Sequence, residues 1–223
     1  MPQPRAGSRL EEVPWCADLL SQPGVVTFVP SSRAPQEAPL GMIPTQDQLF
    51  RKLLRAPDAI PECIGFYKDT HVSHPDNPDK ISTSHSSDSN KQLHIQSSSL
   101  IFDLQPGVNG FNGTAHGGLV AAIIDEAMGN FLLINSAVQQ REKRAGPLPP
   151  NLLDLDSVGG FMTAGMNMVL KKTIATPQVV VVTAVLDKIE GKKMLLRVTV
   201  EGKDGAEYAR CDGLWISFPK HKL

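Results

Sequence analysis

The stretch Asn112-Gly113-Thr114-Ala115-His116-Gly117-Gly118 ends in paired glycines, and an apolar run over 119–134 follows at once. Glycine lets a ligand approach the backbone closely, and the first turn of a helix leaves N–H groups unpaired at the positive end of its dipole. A helix opening here would offer those donors to an oxyanion or polarise a carbonyl. Gly118 N–H is the expected donor, with Gly117 giving the close approach. The second group capable of chemistry is Asp125, which with Glu126 supplies the only charges in the run. Burying a carboxylate is costly, so it needs a reason. One is work as a base or nucleophile; the other is a simple reach to solvent, a loop or a hydroxyl.

His116 and Asp125 are nine residues apart. On a helix that is about 13 Å of rise and two and a half turns, which sets Asp125 on the opposite face. One helix therefore does not bring its own Gly118 N–H and its own Asp125 to one small group. A reaction that uses both needs two chains, related by a two-fold axis. Glu126, about 100° further round, is expected to face away from Asp125.

The elements that must hold these groups are legible as patterns. Leu119, Val120, Ile123, Ile124, Ala127, Met128, Phe131, Leu132 and Ile134 leave almost no polar stripe, which predicts a helix buried nearly all round. Gly129 is its one internal breaker. The run is short for a membrane span and carries two carboxylates, so it reads as a soluble core helix. Strands are predicted at 64–72 and Ser97–Leu104 before it, and at Gly160–Leu170, 178–189, 194–200 and 206–218 after it. Alternation in Gly160–Leu170 puts Phe161, Thr163, Gly165 and Asn167 on one face, with Met162, Ala164, Met166 and Met168 on the other. Two strands, a helix and a four-stranded meander make an α+β fold, an antiparallel sheet wrapped on one long helix.

The remainder is punctuation. Residues 1–43, rich in Pro, Ser and Gly, wrap the domain or stay mobile. Thr45-Gln46-Asp47-Gln48 is a capping-box pattern before Leu49, Phe50, Leu53 and Leu54, so a short amphipathic helix is expected to end before Pro57. The organisation is thus an N-terminal extension over 1–60 and a domain over 61–223, with a polar loop at 73–92 and an insertion at 139–158.

His116-Gly117-Gly118 with Asp125 after it, on a buried helix followed by four strand-like segments, resembles the acyl-CoA thioesterases of the hotdog superfamily. The branch is that of the phenylacetyl/4-hydroxybenzoyl type and its mammalian thioesterase-superfamily relatives. Met162-Thr163-Ala164 and Lys171-Lys172, at the two ends of the next strand, complete the ordered set. The resemblance implies a hotdog fold and hydrolysis of an acyl-CoA or related thioester, without cofactor or metal, by a homodimer or tetramer. It implies Asp125 of the partner chain as base or nucleophile, and Thr163 positioning water or supporting Asp125. His116 would orient the loop or the thioester sulfur, or cap the turn as a purely structural group. Gly117 and Asn167 would line the substrate, and Lys171 and Lys172 would meet CoA phosphates or simply be solvated. Glu126, where a small residue is usual, and the long insertion depart from the pattern. Two other readings are a hotdog hydratase/dehydratase and a catalytically silent acyl-CoA-binding or scaffold protein. Against the first, His116 precedes the helix instead of facing a carboxylate; against the second stand the intact Gly117-Gly118, Asp125 and Thr163.

A net charge of −1 gives no support for nucleic-acid binding or a basic membrane surface. Cys16, Cys63 and Cys211 are widely spaced, with neither a zinc pattern nor a disulfide framework, and suit a reducing compartment. His71, His74, His85 and His94 match no metal-ligand spacing and read as solvated. The N-terminal residues lack a secretory h-region, and the expected location is the cytoplasm. His221-Lys222-Leu223 loosely resembles a peroxisomal address, with His in place of the usual small residue.

Overall fold

In chain order, a computed structural model places helices α1 (Arg9–Glu12) and α2 (Pro14–Leu20), strand β1 (Val25–Phe28), helix α3 (Gln48–Arg51), and strands β2 (Cys63–Lys68) and β3 (Ser97–Leu104). Two short strands, β4 (Asn109–Phe111) and β5 (Thr114–Ala115), lead into helix α4 (Gly117–Lys143), and β6 (Gly160–Leu170), β7 (Gln178–Glu190), β8 (Lys193–Glu201) and β9 (Glu207–Phe218) follow. The described residues are 8–34, 47–69 and 91–220. Seven strands form one antiparallel sheet in the order β1-β2-β3-β7-β8-β9-β6, and α4 packs on one of its faces in the hotdog arrangement.

The strands at the centre show why their sequences do not alternate. Leu100, Phe102 and Leu104 of β3, with Val180, Val182 and Ala184 of β7, face α4. Ile101 and Val181 face the other way, against Leu10 and Cys16 of α1 and α2. Both faces are covered, so both carry apolar residues. In β8 and β9 one side stays open, and polar residues such as Arg197, Arg210 and Asp212 alternate with buried ones.

Helix α4 runs nine residues past the apolar run. Asn135 and Gln139 are fully buried there, although Gln139 reads in the sequence as the start of an exposed excursion. Each carboxamide is matched to the backbone of a passing loop. Asn135 accepts from Ile95 N–H (2.9 Å) and donates to Ile95 O (3.1 Å). Gln139 donates to Leu153 O (2.8 Å) and accepts from Leu155 N–H (2.7 Å). Paired in this way, a polar side chain is at home in a core. Lys143 ends the series on Asp154 and Asp156.

Other expectations are corrected. Strand β6 does not join a four-stranded meander; it lies at the far edge beside β9, and only β7, β8 and β9 follow one another. The connection from β6 to β7 is tied to the loop before α4, by Ala115 N–H to Ile174 O (2.9 Å) and Thr176 N–H to Gly113 O (3.1 Å). Residues 8–34 are not plain wrapping. Ser8 caps α1, Leu10, Val13 and Cys16 recur on the packed side, and Val25-Val26-Thr27-Phe28 adds an edge strand beside β2. Helix α3 is only four residues, and Asp47 ahead of it (φ 54°) makes no side-chain cap; Thr45 and Gln46 lie outside the described residues. The polar loop at 73–92 lies outside them except for 91 and 92, as do His71, His74, His85 and 221–223.

Gly129 is the one breaker inside α4, and a Cβ there would meet Trp215 Cη2 at 3.6 Å, an ordinary contact. Gly129→Ala is therefore expected to raise stability by about 0.5–1 kcal/mol through the lost helix penalty of glycine. Gly213→Ala should lower it, because its Cβ would collide with Met128 Sδ, which is fully buried. Urea midpoints of the two variants should move in opposite directions.

Candidate active site

At the start of α4, His116 is the N-cap residue, with extended backbone (φ −65°, ψ 135°). Its Nδ1 accepts Gly118 N–H at 2.9 Å, and its carbonyl accepts Leu119 N–H (2.9 Å) and Val120 N–H (3.1 Å). A ring nitrogen that accepts carries no proton, so neutral His116 holds its proton on Nε2. The expectation for Gly118 is corrected here: its N–H is taken by the cap. Gly117 N–H has no acceptor among the described residues and is the donor left open. Room for the ring comes from two glycines. A Cβ at Gly118 would lie 2.9 Å from Nδ1, and one at Gly110 2.8 Å from Cδ2. Gly110 was not singled out in the sequence, since its contact with His116 exists only once β4 and β5 pair.

Asp125 lies half-buried two turns into the helix, and Thr163 Oγ1 donates to its Oδ1 at 2.5 Å within the same chain. Counted from Gly118, Asp125 is seven residues on, close to two whole turns, so the two share a face instead of opposing one another. From Gly117 the rise is about 12 Å. Axial distance, not orientation, keeps the donor and the carboxylate of one helix apart.

Thr163 faces α4 because it stands opposite Trp215, whose ring packs in the core. A bulge between Thr163 and Gly165 then changes the face of the strand. Met166 and Met168 turn toward the helix, and Asn167 comes opposite exposed Asp212 on the other side. Thr163 and Asn167, expected together, are therefore on opposite faces, and Asn167 is remote from Asp125. At the end of the strand Leu170 returns to the helix start, its Cδ1 3.3 Å from a Cβ built on Gly117. Of the basic pair, Lys171 is held by Glu207 (2.7 Å). Lys172 is exposed, with no ion pair among the described residues.

Burial pushes the thiols of Cys16 and Cys211 up to about 11, and that of Cys63 up as well, so none is a ready thiolate nucleophile. Among the described residues no three His, Cys, Asp or Glu side chains gather where a metal could sit. A hollow of about 600 Å³, lined by Lys143, Asp154 and the prolines between them, is at the far end of α4, and none of His116, Gly117, Asp125 and Thr163 lines it.

Glu126 faces the opposite side of the helix from Thr163. Burial pushes its carboxyl above the ordinary 4.5, while Ser32, Asn130 and Arg33 pull the other way. The folded chain thus binds this proton more tightly than the unfolded chain, and stability from this group is lost as pH rises from about 4.5 through the raised value. Glu126→Gln keeps the acceptor oxygen and removes the charge. It should hold or raise Tm at pH 8, and the gain in wild-type stability on acidification toward pH 5 should shrink, as followed by thermal melts across pH.

No family model matches the chain. In sequence it is similar to the verlamelin biosynthesis protein B of Lecanicillium sp, 26% identical over 78% of each chain. It is also similar to the acyl-coenzyme A thioesterases THEM4 of Bos taurus (28% identical, 55% of this chain) and Mus musculus (30%, 52%). It spans 41% and 40% of the length of those two. Among solved structures, a hypothetical thioesterase from Streptococcus pneumoniae TIGR4 with coenzyme A aligns over 59% of this chain and 88% of its own, at 9% identity and a TM-score of 0.44. Over about half its length the chain is thus similar in sequence to the THEM4 enzymes, and its sheet packs on one long helix.

Proposed function

We propose that the chain hydrolyses an acyl-CoA or related acyl thioester to free acid and thiol, as a homodimer. The observation that carries this reading is a half-buried Asp125, held by Thr163 through one oxygen, in a helix whose start offers Gly117 N–H. The THEM4 relatives are named for the same chemistry.

In this reading the thioester carbonyl oxygen lies at the helix start and accepts Gly117 N–H as negative charge develops. Asp125 from the other chain either takes a proton from water as the water oxygen attacks the carbonyl carbon, after which the C–S bond breaks, or attacks that carbon itself, so that the C–S bond breaks to leave a mixed anhydride that water then hydrolyses. In both routes the thiolate leaves and is protonated. Thr163 fixes one carboxylate oxygen. His116 builds the donor site by capping the helix, and a ring so engaged weighs against a hydratase. The two-chain site follows from the helical rise between Gly117 and Asp125. Edge strand β6 supports it, with Met162, Val169 and Leu170 exposed along its length. A copy paired there about a two-fold axis would run its helix antiparallel to the first, setting each Gly117 near the other Asp125.

Free-thiol release across a panel of acyl-CoAs tests the activity. Asp125→Asn should lower kcat about 100-fold or more with product binding retained. Gly117→Pro is the matching variant, because proline suits the first helical position and deletes the open N–H, while its Cβ meets the end of the exposed Leu170 side chain. Its kcat should fall by about 100-fold at unchanged helix content. Heterodimers of the two should recover part of the activity, and verified heterodimers without any would exclude a site shared between chains. In a separate series, Lys172→Ala should raise KM for acyl-CoA while leaving KM for short thioesters without the nucleotide alone. Lys171→Ala should do so less, since Glu207 already holds that cation.

A further inference from the structure

Glu126 adjoins Asp125 in sequence, yet its carboxylate is spent on the opposite side of α4, on a turn that the sequence places more than 90 residues earlier. In that turn, Arg33 and Ala34 N–H groups donate to Pro30 O (2.8 and 3.1 Å). Ser32, almost fully buried, hydrogen-bonds the Glu126 carboxylate. Ser31 N–H donates to Asn130 Oδ1 (3.0 Å), and Asn130 Nδ2 donates to Glu126 Oε1 and O (both 2.9 Å). The far side of the turn is anchored too. Arg51 donates to the carbonyls of Ser31 and Ala34, and Arg33 Nη2 donates to Ile60 O (2.8 Å).

We infer that Glu126 is a positioning residue: with Ser32 and Asn130 it clamps α4 against the 30–34 turn and so sets where Asp125 meets Thr163. This rests on the reading of Asp125 as the reacting carboxylate. Asp125 and Glu126 lie at one level of the helix. On one side Asp125 touches β6 through a single hydroxyl, in a contact that is exposed within the chain. One such hydrogen bond is a weak reference for placing a helix. On the other side the clamp is buried, and moving the helix there would leave Ser32 and Asn130 unpaired in the core, a costly change. The buried side therefore fixes the helix and the open side inherits the fit.

The test uses Trp215, which stands opposite Thr163 and lies over Gly129, one turn beyond Asp125. Only one other tryptophan, Trp15, is present, so Trp15→Phe makes Trp215 the sole reporter. In that background Glu126→Ala and Asn130→Ala should raise acrylamide quenching of Trp215. They should also lower kcat by about tenfold or more, with KM for acyl-CoA nearly unchanged. Glu126→Gln should restore both, because Ser32 can donate or accept and the oxygen facing Asn130 is kept. A lower Tm with unchanged kcat per folded chain, or unchanged Trp215 quenching, would overturn the inference. If Asp125→Asn itself kept full kcat, the catalytic reading would fall, and the quenching would still decide whether Glu126 seats the helix. Should Glu126→Ala not fold, Ser32→Ala removes one member of the clamp and is read in the same two ways.

Discussion

A polar side chain on the packed side of a helix needs a partner, and α4 finds one at level after level of its length. Asp125 takes the hydroxyl of Thr163, Glu126 and Asn130 take the 30–34 turn, Asn135 takes Ile95, and Gln139 takes the returning loop at 153–155. The start is closed by an imidazole and the end by an ammonium between two aspartates. The loops lie where they do because the helix holds them. The apolar sheet supplies the bulk of the burial, while these polar contacts decide the register of everything laid over it.

Much of the architecture could be read without coordinates, for physical reasons. Ser97–Leu104 runs into the turn residues Pro106-Gly107, and Gly160–Leu170 opens after Gly159 and closes at Lys171-Lys172, so their ends fall where composition changes. Features that depend on distant partners were hidden. Nothing local distinguishes β6 as an edge strand from β6 as part of a meander; the decision lies in how 171–177 is stitched to the loop before α4. The bulge near Thr163 is equally silent, because an unbroken alternation and one with a single extra residue look alike until β9 is laid alongside.

The candidate site divides in the same way. His116, Asp125 and Thr163 announce themselves by residue type and place. Which glycine N–H stays open does not, since it turns on a single ring rotation that brings Nδ1 over Gly118. Glu126 looked like a departure from a pattern, and its reason lies in Ser31 and Ser32, in a stretch that composition alone marked as unstructured.

The covering of the sheet's outer face has a consequence for the order of folding. Helices α1 and α2 are the first described elements of the chain, yet the floor they rest on includes Ile64, Ile101 and Val181. That floor is complete only when β7 has been made and has paired with β3, some 80 residues further along the chain. During synthesis Leu10, Val13 and Cys16 must therefore wait with their apolar sides unmatched, through the whole interval in which α4 is being made. Non-local closure of this kind is slow, and the waiting surface is open to wrong partners. The last step of assembly thus belongs to a segment made long before the floor it rests on.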